Sequence, residues 1–152
     1  MEDIIFKRRS IRLFKKQEIP EEILRKILLA GMWAPSPKNR QPWKMIAALG
    51  KSKEIMLSLM KEGIDRSERG EGIITGSKEY IANARYTMKC MAVAPVTVFI
   101  THPEGKSLRE DWSAAEKIHE LSDVQAIGAA AENMALMAAE MGIGSLWNGN
   151  IF

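Results

Sequence analysis

Cysteine is almost missing from this sequence: Cys90 stands alone among 152 residues. No intrachain disulfide can form, and cysteine metal clusters are excluded; a reducing, cytoplasmic location is the expectation. Histidine is equally scarce, and His102 and His119 have no ligand-like spacing, so no metal site is expected. No apolar run approaches the roughly 20 residues of a membrane helix. The opening MEDIIFKRRS places acids early with no long apolar stretch behind them, which is not a signal peptide. There is no GxGxxG and no Walker-type loop, and no nucleophile motif supports a Ser-His-Asp site. With so little side-chain machinery, no catalytic acid or base is named. Any chemistry would fall to a bound cofactor.

What is present suits a soluble globular protein. The length fits one domain, here taken as residues 1–152, and a 46% hydrophobic fraction is enough for a core without staples. A net charge of +3 is too small to imply nucleic acid, and neither nucleic acid nor membrane is expected as a partner. The placement of the charge carries more: Lys7, Arg8, Arg9, Arg12, Lys15 and Lys16 crowd the N-terminal segment. Such a cluster is either an anion site or a solvated basic face.

Residues 2–8 read as a short helix and 10–19 as a loop. Pro20 followed by Glu21 and Glu22 is a helix start, and Ile23, Leu24, Ile27 and Leu28 keep helical spacing, so a helix runs to about Met32. The stretch APSPKNRQP, residues 34–42, is loop chemistry, and WKMIAAL after it is a strand. Residues 51–62 suggest a helix with Ile55, Leu59 and Met56 or Met60 on one face. Residues 63–77, polar and glycine-containing, suggest a surface loop in the position of a lid. A helix over 78–92, a strand at VTVFI and a loop over 102–112 follow. A long helix begins at Ala114 or Leu121 and runs to Met141. Its small residues, from Gly128 to Ala139, permit close approach by other elements, and it is expected to be packed on all sides. Gly142 stops it, and SLW at 145–147 is a strand or turn.

Three groups offer ligand chemistry. In an extended segment Arg8, Ser10 and Arg12 point the same way, presenting two guanidinium forks and a hydroxyl, with Arg9 between them. Pro35, Ser36, Asn39 and Gln41 bring neutral amide and hydroxyl groups that can read a heteroaromatic edge, or simply satisfy their own loop. Gly142 to Gly149, GIGSLWNG, lets backbone approach a flat ligand, or merely ends a helix and turns. Trp43 and Trp147 are read as core packing rather than stacking groups.

In order and spacing these segments resemble the nitroreductase family of flavoproteins. RRSIRLF matches its R-R-S-x-R-x-F opening, and APSPKNRQPW its A-P-S-x-x-N-x-Q-P-W loop. AAAENMALMAAEMGIGSLWNG matches its alanine-rich helix and glycine-rich segment. The resemblance runs from about Ile4 to Gly149. It implies an α+β fold with a mostly antiparallel central sheet flanked by helices, in a homodimer that holds two FMN molecules at its interface. By motif, Arg8 binds the FMN phosphate with Ser10 nearby, and Arg12 lies by the pyrimidine edge. Pro35, Ser36 and Asn39 reach a flavin bound mainly to the other subunit. Gln41 supports that loop or contacts the ribityl chain. Gly144, Ser145 and Leu146 pass the ring face or its dimethylbenzene end. The implied reaction is ping-pong: NADH or NADPH reduces FMN and leaves, then a small-molecule electron acceptor such as a nitroaromatic or quinone is reduced. Family chains normally continue past the position of Phe152, with a further basic residue for the phosphate and an arm around the partner. This sequence ends soon after GIGSLWNG, which leaves two expectations open: Arg9, Lys7 or a basic residue elsewhere compensates, or the sequence is a piece of a longer chain. Two other readings stay open: a flavin-binding module for storage, sensing or delivery, and a basic interaction domain without cofactor.

Overall fold

Helix α1 spans Glu2–Lys7 and α2 spans Glu21–Met32, beginning directly after Pro20 with Glu21 and Glu22 in the first turn. These bounds come from a computed structural model, which describes residues 2–71, 78–107 and 110–149. A 3-10 turn over Pro37–Asn39 interrupts the expected loop. Strand β1 (Lys44–Ala48) pairs antiparallel with β2 (Thr97–Thr101). The Thr101 hydroxyl donates to the Lys44 carbonyl at 3.1 Å and marks the register. Helices α3 (Gly50–Glu68), α4 (Lys78–Val93) and α5 (Ala114–Glu140) complete the order. This is an α+β arrangement in which the described residues form a sheet of two strands.

The described chain divides into two compact units. The first takes residues 2–9, 20–46, 99–107 and 110–145; the second takes 10–19, 47–71, 78–98 and 146–149. In the first unit α5 is the organising element. Ala126, Ala130, Met134 and Ala138 form its buried stripe, and α1, α2 and the 3-10 turn pack against it. Trp43 is buried with Ala34, Ala126 and Ala130, as its core reading requires. The close approach foreseen from small residues occurs where α2 meets α5. A Cβ on Gly31 would lie 2.7 Å from Met134 Cγ and 2.5 Å from Met45 Cε. Within the single chain the helix is not packed on all sides, and the expectation that a second subunit covers part of it is untested. Ile118, Leu121 and Val124 in the first half of α5 are more than half exposed. The helix starts on a capping box, with Ser113 accepting from the Glu116 amide and Glu116 accepting from the Ser113 amide and hydroxyl. It stops at Gly142, whose φ of 71° is the left-handed value that favours glycine.

In the second unit α3 packs against α4 and is longer than expected. The helix does not end at residue 62 but continues to Glu68, so residues 63–68 of the supposed loop are helical; residues 72–77, with the lid reading, lie outside the described residues. The reason is that Ile64, fully buried, and Ser67 extend the buried face begun by Met60. Arg85 on α4 then ties down the last turns, with bonds to Asp65 (3.0 Å) and Glu68 (2.9 and 2.6 Å). Hydrogen bonds from Lys61 and then Arg85 hold the Asp65 carboxyl below its ordinary range, and that from Arg85 does the same for Glu68. Ile55 and Leu59, read on one face with Met56 or Met60, are exposed at 54% and 62%, whereas Met60 is buried. Lys53 donates to the carbonyls of Ala92 (3.0 Å) and Ala94 at the end of α4, where a cation suits the helix dipole; desolvation lowers its pKa.

Candidate functional site: a clamped polar loop and an arginine segment

The loop from Pro35 to Gln41 has an unusual backbone. Lys38, Asn39 and Gln41 all have positive φ, at 55°, 54° and 49°. None is glycine, so each is held where its Cβ is disfavoured. Arg40 between them is right-handed helical, with φ −65° and ψ −28°. The loop closes on itself: the Gln41 amide donates to Ser36 Oγ (2.9 Å), the Asn39 amide to the Ser36 carbonyl (2.9 Å), and Gln41 Nε2 to Asn39 Oδ1 (3.2 Å). Among the described residues, these bonds leave the Asn39 NH2 and the Gln41 side-chain carbonyl pointing to solvent without a protein partner. Pro35 is exposed and Ser36 half-buried, while Pro42 and Trp43 sink into the interior.

Arg40 takes the opposite direction from its neighbours. Its Nε and Nη2 donate to Asp123 Oδ1 on α5 at 2.9 and 2.6 Å. Asp123 is only 8% exposed. Its other oxygen lies 3.6 Å from His102 Nε2, and His102 Nδ1 lies 3.2 Å from Glu120 Oε1. The turn after β2 covers the ring, since a Cβ on Gly105 would sit 2.7 Å from His102 Nδ1. Lys106, next in that turn, pairs with Glu116 one turn earlier on α5. Together with hydrogen bonds from Ser113, this holds the Glu116 carboxyl down at about 2. One acidic edge of α5 thus fastens both the 35–41 loop and the turn after β2.

The other expected residues lie elsewhere. Arg8, on the first unit, is ion-paired across 3.4 Å to Glu132 of α5. Arg9 donates only to nearby carbonyls, Phe6 (2.6 Å) and Arg8 (2.8 Å). Arg12, in the second unit, donates to the Ser10 carbonyl at 3.3 Å. Ser10 and Arg12 are exposed, and among the described residues neither Arg9 nor Arg12 faces a carboxylate. Gly144 is exposed and Ser145 half-buried in a single-residue bridge, so of the strand or turn expected at 145–147 one bridging residue forms; Leu146 is half-buried. Trp147 is 59% exposed, which overturns its core reading within the chain. Of the expected residues, Ser36, Asn39 and Gln41 are joined by direct bonds.

Comparison with known proteins identifies the family and the fold. The model of the nitroreductase family matches residues 5–152, which includes the arginine segment, the clamped loop and α5. The chain belongs to the nitroreductase family. A relative from Archaeoglobus fulgidus, provisionally named NADH dehydrogenase/NAD(P)H nitroreductase, is 31% identical over 146 residues, covering 96% of this chain and 65% of that protein. The chain thus spans less than two thirds of that relative's length. Among solved structures, the nitroreductase-like family protein from Bacillus cereus superposes with a TM-score of 0.69 at 22% identity, over 97% of this chain and 68% of that one. A nitroreductase with bound FMN from Bacteroides fragilis gives 0.62 at 25% identity, over 96% and 67%.

Against the nitroreductase-family motifs, four residues of the network escaped sequence reading: Arg40, Asp123, His102 and Glu120. One signal was available. Asp123 falls three and seven residues before Ala126 and Ala130, on the stripe of α5 that small residues mark as buried. A buried acid needs a partner. Sequence alone offers 22 lysines and arginines and no means of choosing Arg40. Among the described residues no cluster of metal-ligating side chains occurs, and no helix is long and apolar enough to cross a membrane.

Proposed function

We propose that this nitroreductase-family chain is an FMN-dependent oxidoreductase. It would pass reducing equivalents from NADH or NADPH to a nitroaromatic, quinone or similar small acceptor, by a ping-pong mechanism and as a homodimer. The observation that carries the reading is the clamped loop. Its backbone is held in a disfavoured conformation, and it offers the Asn39 NH2 and the Gln41 carbonyl outward as neutral, fixed hydrogen-bonding groups. Orientation of that kind suits the edge of a neutral heteroaromatic ring. The donor set also fits a phosphorylated ligand. Arg9 and Arg12 spend single nitrogens on nearby carbonyls, so most of each guanidinium remains for an anion.

Bound FMN supplies the hydride chemistry. The chain's own residues bind and orient. By the family motifs, Arg8, released from or shared with Glu132, would bind the phosphate together with Ser10 and Arg9. Arg12 would supply a cation to stabilise the negative charge of the reduced ring. Pro35, Ser36, Asn39 and Gln41, and Gly144, Ser145 and Leu146, would hold the ring system. Donor and acceptor would use the same space in turn, with the protons taken up by the reduced acceptor drawn from solvent, and no residue of the chain is assigned as acid or base. The test is direct. Purified protein is expected to carry a flavin spectrum or to acquire one with FMN, to elute as a dimer, and to bleach rapidly when mixed anaerobically with NADH or NADPH. A bound flavin that does not bleach would replace the enzyme with a flavin-binding module. A monomer that stays colourless in excess FMN would end both.

A further inference from the structure

We infer that Asp123, acting through Arg40, is the positioning residue that keeps the 36–41 loop in the conformation by which it meets its ligand. For what the loop meets, this rests on the flavin reading above; for how the loop is held, it rests on geometry alone.

Three residues with Cβ atoms occupy left-handed backbone within four positions, at Lys38, Asn39 and Gln41. Such a conformation persists only where the surroundings over-determine it. The bonds inside the loop join exposed groups that water can replace. The anchor from outside the loop is the pair from Arg40 to Asp123, whose side chains are 29% and 12% exposed, so it is better shielded from water than the bonds within the loop. Oδ1 receives Nε and Nη2 of Arg40, and Oδ2 faces His102, itself set against Glu120 and under Gly105. The two guanidinium nitrogens on one oxygen fix a direction as well as a distance. Because Arg40 sits between Asn39 and Gln41, fixing its side chain inward leaves its neighbours turned outward. His102, set against Glu120, stands 3.6 Å from the other oxygen of Asp123 and fills the space beside it. Asp123 touches no ligand in this account. Its effect is on the fraction of molecules whose loop is ready, and apparent affinity scales with that fraction.

The test uses the full chain with Asp123→Asn, which keeps shape and one acceptor but loses the charge. Hydrogen–deuterium exchange of the ligand-free protein is read at residues 36–43, at α2 and at the 126–138 part of α5. The expected result is faster exchange at the Gln41 amide and its neighbours with the two helical regions unchanged. FMN binding should weaken about tenfold, as it does when the ready fraction falls to about a tenth. The double variant Arg40→Met/Asp123→Asn should be no worse than either single change, because both remove the same contact. Where Asp123→Asn does not fold, Arg40→Lys gives the same reading with a milder change. Unchanged loop exchange, or an increase spread evenly over α5 and α2, overturns the inference and leaves the flavin reading intact. Faster loop exchange in a chain whose parent takes up no FMN upholds the positioning role and overturns the flavin reading.

Discussion

The loop over 36–41 and the arginine segment over 8–12 both turn polar groups to solvent, and they hold them in opposite ways. The loop is fixed by a residue 83 positions away in sequence, Asp123, and by a backbone that ordinary residues avoid. Arg9 and Arg12 are fastened to carbonyls no more than three residues distant. The difference matches what each kind of recognition requires. A hydrogen bond to a ring edge weakens steeply with angle, so its donor must be placed. Attraction between a guanidinium and an anion falls slowly with distance, so its donor can adapt. Arg8, paired at 3.4 Å to Glu132, stands between these extremes.

The strongest way to break this contrast is to remove the root of the loop. Trp43→Ala empties the cluster shared with Ala34, Ala126 and Ala130, and should destabilise the first unit by about 3–5 kcal/mol in urea unfolding. Next comes Asp123→Ala, which leaves Arg40 without its acceptor. A loss of about 2 kcal/mol is expected, because the pair is only partly shielded from water; calorimetry gives the value. Arg12→Ala sharpens the contrast from the other side. Stability should change by less than about 0.5 kcal/mol, since the side chain is exposed. FMN titration should still show a loss of about tenfold, the lower end for one charge-assisted bond. A large drop in melting temperature for Arg12→Ala would show that the arginine segment is structural after all.

The smallest effect is set by acid. Glu116 is held at about 2 by Lys106 and Ser113, well below its ordinary 4.5. Its folded pKa is depressed, so its contribution is complete above pH 4.5 and is lost as pH falls through that window toward 2. Melting temperature followed over this range should decline, and Glu116→Gln should remove that part of the slope. Arg9 and Arg12, which face no carboxylate among the described residues, should add nothing to it.

Much of the fold could be read along the chain because its signals are local. The start of α2 lies in Pro20, Glu21 and Glu22, its end near Met32, the stop of α5 in Gly142, and the two strands in short β-branched or apolar runs. The misreadings share one cause. Gly63 and the polar residues after it suggested a loop, yet α3 runs on because Ile64 and Ser67 meet α4. Ile55 and Leu59 read on one face with Met56 or Met60, yet the packing of α3 on α4 buries Met60 and Ile64 and leaves Ile55 and Leu59 exposed. Trp147 and the first half of α5 are apolar without being covered in the chain. The site divides likewise: its neutral amides and arginines stand out as residue types, whereas the partner of each does not.

Taken alone, the amino-acid order settled where α2 begins and ends, where α5 stops, and which loop carries amide chemistry. Those properties depend on neighbours within a few residues. Only the tertiary structure decided that Arg40, rather than another of the cations, is the one led inward, that Asp123 receives it, and that Asn39 and Gln41 are thereby turned to solvent. Burial and ion pairing depend on what a distant segment brings to the same place, and no local pattern records that.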